Sequence, residues 1–202
     1  MLTMLTLPFL EVSSVACLLA AAFVFLSPSD RAEHVHLAER TAVATLRDFH
    51  EAQQIFLDRA NHRSFGLLPE LMGAKSIRSH PTQPPLLKPL PLDTILERNG
   101  YLFALFLPSV DLRGALKAAD VDESQAGEAW VAFAWPIRYP HTGRRLFAIG
   151  KDGVVMSYEN ALESFEGPTD IPPPVLFSSQ MKTSAFGKPP AWVTRLRWIR
   201  EP

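Results

Sequence analysis

The fold is decided by residues 35–60, VHLAERTAVATLRDFHEAQQIFLDRA, because their apolar side chains recur at the spacing of a helix. The stripe consists of Val35, Ala38, Ala42, Leu46, Phe49, Gln53, Phe56 and Ala60, each three or four residues from the next. This spacing predicts a helix of about seven turns with one apolar face, interrupted only by Gln53. A lone helix cannot bury such a face, so we expect a later sheet to cover it.

The second half of the chain supplies that sheet. Apolar segments bounded by turn residues predict strands, and four such segments follow residue 99: 100–107, 129–137, 145–150 and 154–158. The pair Asp152-Gly153 predicts a tight hairpin between the last two, since it tolerates the positive φ that such turns need. We therefore predict an α+β fold in which one long N-terminal helix packs on three or four antiparallel strands.

Two further segments lie outside these elements. Residues 91–98 predict a brief helix that ends at Asn99-Gly100. Residues 161–202 predict a proline-rich C-terminal extension, since seven of the eighteen prolines follow residue 165. Within this extension, the imperfect alternation of residues 191–200 favours an added strand at the sheet edge over an adhesive basic-aromatic segment.

An apolar run precedes the long helix. Leu5–Leu26 is apolar from Pro8 onward except for Glu11 and two serines, and its length approaches the roughly 20 residues that cross a bilayer. Because no Lys or Arg precedes Arg31, a cleavable signal peptide is the weaker interpretation. We therefore predict a single membrane span in residues 1–28, a domain in residues 29–160 and the extension in residues 161–202.

The start of this run carries a motif. Leu7-Pro8-Phe9-Leu10-Glu11-Val12 leads into the apolar run, and residues 42–53, AVATLRDFHEAQ, follow it. Both stretches resemble type IV pilins and type II secretion pseudopilins, in which a G-F-T-L-I-E motif opens an apolar helix. The resemblance covers residues 7–160 and implies a pilin-like fold, with Leu7, Phe9 and Glu11 as assembly residues. It implies that Glu11 neutralises the N-terminal amine of the adjacent subunit.

Thr6 departs from this family pattern. It stands where the family's processing peptidase needs Gly, which leaves open a processed subunit or an unprocessed tether. The resemblance implies a single-pass inner-membrane protein whose domain is extracytoplasmic, either periplasmic or at the cell surface. Its implied partners are membrane lipid and other pilin-like subunits. We expect a structural subunit of a filament or secretion pseudopilus; the alternative is a solitary membrane-tethered binding or scaffold protein with the same fold.

The composition and motifs exclude several other classes of protein. Twenty basic against twenty-one acidic residues give a net charge of -1, which offers no general attraction for nucleic acid. The one cysteine, Cys17, allows no intrachain disulfide. His50-Glu51 lacks the second histidine of a zinc-protease motif. We therefore expect no enzymatic activity, no catalytic residue and no cofactor.

No metal site is expected either. His34 and His36 are two residues apart on the predicted helix, so their side chains point in nearly opposite directions. The acidic loop residues Asp120, Asp122 and Glu123 lack the glycine and closing glutamate of an EF-hand. A solvated acidic loop is therefore favoured over a calcium site.

Overall fold

The computed structural model describes residues 28–59, 63–73, 78, 85–87, 94–161, 164–177, 185–188 and 196–202. These residues form an α+β structure with one six-stranded antiparallel sheet and one long helix. The predicted class, the long helix and the antiparallel sheet are confirmed. The predicted number of three or four strands is wrong.

The long helix, α1, spans Pro28–Arg59. Proline suits the first position of a helix because its missing N–H has no partner there in any case. Residues 29–34 are exposed, whereas Val35 and most of the predicted stripe from Ala42 to Phe56 are buried. Gln53 is buried too, and its side-chain amide both donates to and accepts from the backbone of Gly66, each at 2.8 Å. Gln53, the polar residue within the stripe, therefore fixes the segment at Gly66 that follows the helix.

A short helix, α2, spans Leu68–Leu71. Pro69 lies in its first turn, and the carboxylate of Glu70 accepts a hydrogen bond from the backbone N–H of Leu67 at 2.7 Å. This contact satisfies one of the N–H groups that a helix start leaves without an intrahelical partner. Leu68 and Leu71 are buried in the same core as α1.

The sheet is a meander whose strand order equals the sequence order. Its strands are β1 Ile95–Arg98, β2 Tyr101–Phe106, β3 Val131–Pro136, β4 Arg145–Gly150, β5 Met156–Glu159 and β6 Ile199–Arg200. All neighbouring strands pair antiparallel, with Leu102 opposite Trp135 and Phe133 opposite Ala148. Such pairing needs only short connections between consecutive strands.

The first strand corrects the helix predicted at residues 91–98. Ile95–Arg98 is β1, and Asn99-Gly100 is a two-residue hairpin turn with φ of 49° and 82°. Positive φ at both central residues is the geometry of the type I′ hairpin, which matches the twist of the flanking strands. The pair that suggested a helix end therefore joins two strands.

The sheet is covered on both faces, so every residue of β2 and β3 is buried. One face packs against α1, α2 and Leu86–Leu87. The other face packs against C-terminal residues, of which the buried apolar ones are Phe165, Leu176, Phe177, Ala185 and Phe186. The indole N–H of Trp135 also donates to the Gly167 carbonyl at 2.8 Å. Residues 164–186 therefore contribute one layer of the core where the structure describes them.

The predicted edge strand in the C-terminal extension is confirmed at Ile199–Arg200, which pairs with β5. Beyond it, Glu201 donates its backbone N–H to the Val155 carbonyl at 2.9 Å. Arg47 of α1 donates to the backbone carbonyl of Pro202. The division of the chain after residues 28 and 160 stays a prediction.

Candidate functional site

The predicted assembly residues Leu7, Phe9 and Glu11 lie outside the described residues, as does the predicted membrane span. In the described part of the chain, no helix is long and apolar enough to cross a membrane. The candidate sites are therefore sought on the domain that α1 carries. This part of the chain carries two ion-pair clusters, a groove and a loop with exposed apolar side chains.

Three charged side chains join α1, β4 and the C-terminal segment. Arg145 donates from Nε to Glu39 Oε2 at 2.9 Å and from Nη1 to Glu201 Oε1 at 2.6 Å. Glu39 Oε1 also accepts from the backbone N–H of Arg144 at 3.0 Å. The side chains of Glu39 and Glu201 are only 8% and 13% exposed. This Glu39–Arg145–Glu201 cluster fixes the N-terminal half of α1 to the sheet.

The cluster also sets the ionisation of its members. Burial opposes the charge of the Arg145 guanidinium, but attraction to Glu39 and Glu201 outweighs it and raises the pKa of Arg145 above its ordinary value. The hydroxyl of Tyr101 donates to the Arg145 carbonyl at 3.0 Å. Burial, with the nearby Glu39 carboxylate, raises the pKa of Tyr101 far above its ordinary value. Tyr101 and Arg145 therefore stay protonated at neutral pH, which suits a structural contact between α1 and the sheet.

A second ion-pair cluster surrounds Arg78, whose side chain is 2% exposed. Its Nη2 donates to Glu70 Oε2 at 2.8 Å and to the Phe65 carbonyl at 2.5 Å. Its Nη1 lies 3.3 Å from Glu123 Oε2. Glu123, one of the three predicted loop acids, is thus an ion-pair partner. Within the described residues, no three metal-ligating side chains are grouped closely enough to hold an ion.

The other two loop acids and three of the histidines are mostly exposed or half-buried side chains. Asp120 is exposed, and Asp122 accepts hydrogen bonds from the backbone and hydroxyl of Ser124 at 3.0 and 2.6 Å. His34 and His36 are exposed on α1. His50 is half-buried, with its ring centroid 6.1 Å from that of Trp130. Among the described residues, these two acids and three histidines belong to no group of three that could hold a metal ion.

A groove of about 490 Å³ opens between α1 and the edge strand β1. We call it the α1–β1 groove. Its apolar lining comprises Phe49, Ala52, Ile55, Met72, Leu86, Leu87 and Leu96. Its charged rim comprises Asp48, Glu51, Glu97 and Arg98, in which Arg98 lies 3.8 Å from Asp48. Ligand pockets commonly combine such an apolar lining with a few polar or charged groups.

The loop Pro108–Gly114, which we call the 108–114 loop, exposes two apolar side chains. Val110 is 81% exposed and Leu112 is 49% exposed. The Asp111 carboxylate accepts from the Ser109 hydroxyl at 2.6 Å and from the Arg113 backbone at 3.1 Å. These hydrogen bonds, the one from Ser109 first, lower the pKa of Asp111 below its ordinary value. The loop therefore holds its apolar side chains in a hydrogen-bonded frame.

The backbone of this loop is strained at one position. Leu112 has a φ of 61°, which costs a residue with a side chain on the order of 1–3 kcal/mol. Gly114 has a φ of 87°, and a Cβ there would lie 2.5 Å from Pro174. The predicted strands 100–107 and 129–137 left residues 109–128 between them, and this loop was not predicted. The available signal was Val110 and Leu112, two large apolar residues alternating with charged ones.

The comparisons with known proteins identify no family or protein that this chain resembles. No family model matches the chain, no curated protein matches its sequence, and no solved structure matches its fold.

Proposed function

We propose that the protein is a membrane-anchored, pilin-like structural subunit of a bacterial filament or secretion pseudopilus. The observation that carries the proposal is the position of α1 along the chain, directly after an apolar run in the sequence. Helix α1 begins at Pro28, two residues after Leu5–Leu26 ends. Its residues 29–34 are exposed, and its first buried apolar side chain is Val35. This suits a domain carried on a membrane helix.

The lengths of the elements support the same arrangement. The 32 residues of α1 span about 48 Å at 1.5 Å per residue. The six-residue strands that it crosses are about 20 Å long. The buried face of α1 runs from Val35 to Phe56, so its first turns extend beyond the part that packs on the sheet. The exposed turns before Val35 supply the stem between domain and membrane.

Glu11 has a defined role in this proposal. A carboxylate near the start of a membrane segment is costly unless it meets a positive charge or lies at the interface. The N-terminal amine of a neighbouring subunit is such a charge. The proposed partners are accordingly membrane lipid and other pilin-like subunits, with the domain outside the inner membrane. The net charge of -1 supports no role for nucleic acid.

The ion-pair clusters support a structural role and not an enzymatic one. Arg145 lies between Glu39 and Glu201, and Arg78 binds Glu70 and Glu123. Charged groups that neutralise one another inside a domain position its elements and are not poised to exchange protons with a substrate. In a filament subunit, the Arg145 cluster would transmit load from the helix to the sheet.

The second candidate is a solitary membrane-tethered binding or scaffold protein, and the α1–β1 groove favours it. A groove of about 490 Å³ lies within the usual size range of small-ligand pockets, roughly 300–1,000 Å³. The mass of the protein from native membranes separates the candidates. A chain that starts at Leu7 supports a processed subunit, and an intact leader supports the tethered binding protein.

Cross-linking in native membranes tests the role of Glu11 in assembly. A photo-reactive amino acid placed in turn at Ala20, Ala21 and Ala22 samples three directions about 100° apart around a helix. We expect covalent dimers and larger multimers from at least one position. Glu11→Ala should abolish them and leave the amount of protein in the membrane unchanged.

Glu33→Ala is the matched control, because Glu33 is an exposed carboxylate in α1. This control should leave the cross-linking at its wild-type level. Cross-linking that persists unchanged in Glu11→Ala contradicts the role of Glu11. Absence of cross-links from all three positions in the wild type would favour the tethered binding protein.

A further inference from the structure

One side of the domain presents a group of exposed arginine side chains. They lie where α1, the start of β4 and the segment around β6 meet, and they are Arg40, Arg144, Arg197 and Arg200. We call these four residues the arginine surface. In the part of the chain that the structure describes, no carboxylate lies within ion-pair distance of their guanidinium groups.

Contacts between three distant segments hold the arginine surface together. The backbone N–H of Arg144 donates to the Glu39 carboxylate of α1 at 3.0 Å. The next residue of the chain, Arg145, binds Glu201, which follows β6, at 2.6 Å. The helix, the start of β4 and the segment around β6 therefore place their arginines at one side of the domain.

The arginine surface keeps a net positive charge when the neighbouring carboxylates are counted. Glu39 and Glu201 are largely buried, and both bind Arg145. Glu159 is exposed and lies opposite Arg145 in the register of β4 and β5. With Arg47 and Arg145 included, six guanidinium groups therefore stand against three carboxylates. Because the whole chain has a net charge of -1, this positive excess is balanced elsewhere.

The chain between β2 and β3 carries part of the balancing negative charge. Residues 118–130, which we call the acidic segment, contain no basic residue and four carboxylates: Asp120, Asp122, Glu123 and Glu128. Asp120 and Glu128 are exposed. The side chain of Glu123 stays 55% exposed although it binds Arg78, which also binds Glu70.

The residues around the acidic segment leave it negative. Lys117 precedes it, Arg63 lies against Gly127, and Lys151 donates to the Glu128 carbonyl at 3.3 Å. Asp152, exposed beside Lys151, adds a fifth carboxylate. Five carboxylates thus stand against three cations, since Arg78 and Glu70 neutralise each other.

The arginine surface and the acidic segment lie towards opposite ends of α1. Phe65 donates its backbone N–H to the Ala126 carbonyl at 2.9 Å, so the acidic segment lies beside the chain that leaves the helix. Glu39, which holds Arg144, precedes the last residue of α1 by 20 residues, or about 30 Å along the helix. The two surfaces of one chain therefore do not meet each other.

We infer that the arginine surface of one copy binds the acidic segment of the next copy. Opposite charges on two separate surfaces of the same chain make successive copies complementary. The contact is heterologous, and heterologous contacts generate open filaments unless their rotation closes a ring. Copies with parallel α1 helices are then offset by about 30 Å along the helix axis. This inference rests on the proposed function and supplies a contact between the domains of neighbouring subunits.

Photo-cross-linking of the full-length chain in native membranes tests the contact. A photo-reactive amino acid at Ile199, which is 59% exposed and precedes Arg200, should give dimers and larger species. Mass spectrometry of the digested dimer should place the other end of the link in residues 118–130. The control position is Glu97, which is exposed on β1 at the other edge of the sheet. This control should give no link to residues 118–130.

Other products of the Ile199 cross-linker contradict the inference. Links between the Ile199 segments of two copies indicate a twofold contact between β6 strands. Adducts with phospholipid indicate that the arginine surface faces the membrane, and adducts that nuclease removes indicate nucleic acid. A wild-type background that gives no adduct at all would also overturn the contact.

A charge exchange gives a second readout. Arg144→Glu together with Arg200→Glu should lower the yield of the Ile199 cross-link several-fold, because the two surfaces then repel each other. Asp120→Arg together with Glu128→Arg in the same chain should restore the yield. These four side chains are exposed, so the changes leave the core intact.

Glu51→Arg together with Glu97→Arg is the matched control for the restoring pair. Both carboxylates are exposed and lie outside the acidic segment, so this control should leave the cross-link of the Arg144→Glu, Arg200→Glu chain low. A yield that the two arginine changes do not lower, or that the control restores as well, would refute the proposed pairing of charges.

These results can be separated from those on the proposed function. If the membrane-segment cross-links depend on Glu11 but Ile199 gives no link to residues 118–130, the subunit proposal stands and the contact between domains is wrong. If the Ile199 link forms without membrane-segment cross-links, the contact stands and the role of Glu11 is wrong. Absence of both sets of cross-links refutes both.

Discussion

Glu39→Ala should strongly destabilise the domain because it removes the central contact between α1 and the sheet. The carboxylate accepts from the Arg144 backbone at 3.0 Å and from Arg145 Nε at 2.9 Å, and its side chain is 8% exposed. Hydrogen bonds to charged groups contribute about 1.5–3 kcal/mol each. Arg145 keeps Glu201 at 2.6 Å, so the guanidinium does not lose all compensation.

The expected loss in the free energy of unfolding is therefore about 3 kcal/mol, which is near the lower end of the sum for the two hydrogen bonds. Glu39→Gln should cost less, about 1–2 kcal/mol, because the amide oxygen still accepts from the Arg144 backbone. Glu201→Ala should cost about 1 kcal/mol, because Arg145 keeps Glu39 and the change removes one contact at the less buried end. The ranking Glu39→Ala, Glu39→Gln, Glu201→Ala is the specific outcome.

Urea unfolding of the full-length protein in detergent micelles, followed by tryptophan fluorescence, measures these values. Glu51→Ala is the control, because Glu51 is exposed on the same helix and should change stability by less than about 0.5 kcal/mol. A double-mutant cycle with Arg145→Met should give a coupling energy of about 1.5–3 kcal/mol. A loss below about 0.5 kcal/mol for Glu39→Ala, or no coupling, would refute the structural reasoning.

Three other predictions address the remaining features. Arg78→Met should lower the free energy of unfolding by about 3–5 kcal/mol in the same urea assay, because it leaves Glu70 buried without its cation. Adding Glu70→Gln should recover part of the loss, and no recovery would contradict the Arg78–Glu70 ion pair. A stop codon after residue 160 should give an aggregated chain, because it uncovers one face of the sheet; a soluble, cooperatively unfolding product in detergent would instead support the predicted boundary. Because the pKa of Asp111 is lowered, its carboxylate stabilises the loop above the ordinary carboxyl range, and this contribution disappears as the pH falls through the lowered pKa. Ser109→Ala should raise the pKa of Asp111 in an NMR titration, and an unchanged pKa would exclude the Ser109 hydroxyl as the main cause of the shift.

Helical periodicity alone predicted α1, because the stripe from Val35 to Phe56 faces the sheet that buries it. Strand β1 was missed because Asn-Gly suits both a helix C-terminus and a type I′ hairpin turn. Only pairing with β2, which places Leu96 opposite Phe103, distinguishes the two. A segment of four residues has too little periodicity to distinguish them without its partner.

The role of the C-terminal residues had a signal in the sequence. Residues 101–106, YLFALF, are apolar without alternation, which is typical of a strand buried on both faces. A single helix covers one face only, so a second covering layer was required. The proline content of residues 161–202 indicated irregular structure, and irregular structure can still pack closely, as Phe177 and Phe186 show.

The ion-pair clusters had no such signal. Arg145 lies 106 residues from Glu39 and 56 from Glu201, and no local pattern joins residues so far apart. Their pairing follows from the order of the strands, which places the start of β4 beside both α1 and the C-terminal segment. The candidate groove and loop likewise arise only when distant segments fold together.

The position of the last strand has a consequence for how the protein is made. Residues 164–202 complete the sheet and cover its second face where they are described, and they are synthesised after the central strands that they cover. At about 5–20 residues per second, a stretch of about forty residues such as 164–202 takes roughly 2–8 seconds to synthesise. During that interval the apolar face that includes Phe133 and Trp135 lacks its cover. The order of the strands along the chain therefore separates the synthesis of this apolar face from the synthesis of its cover by seconds.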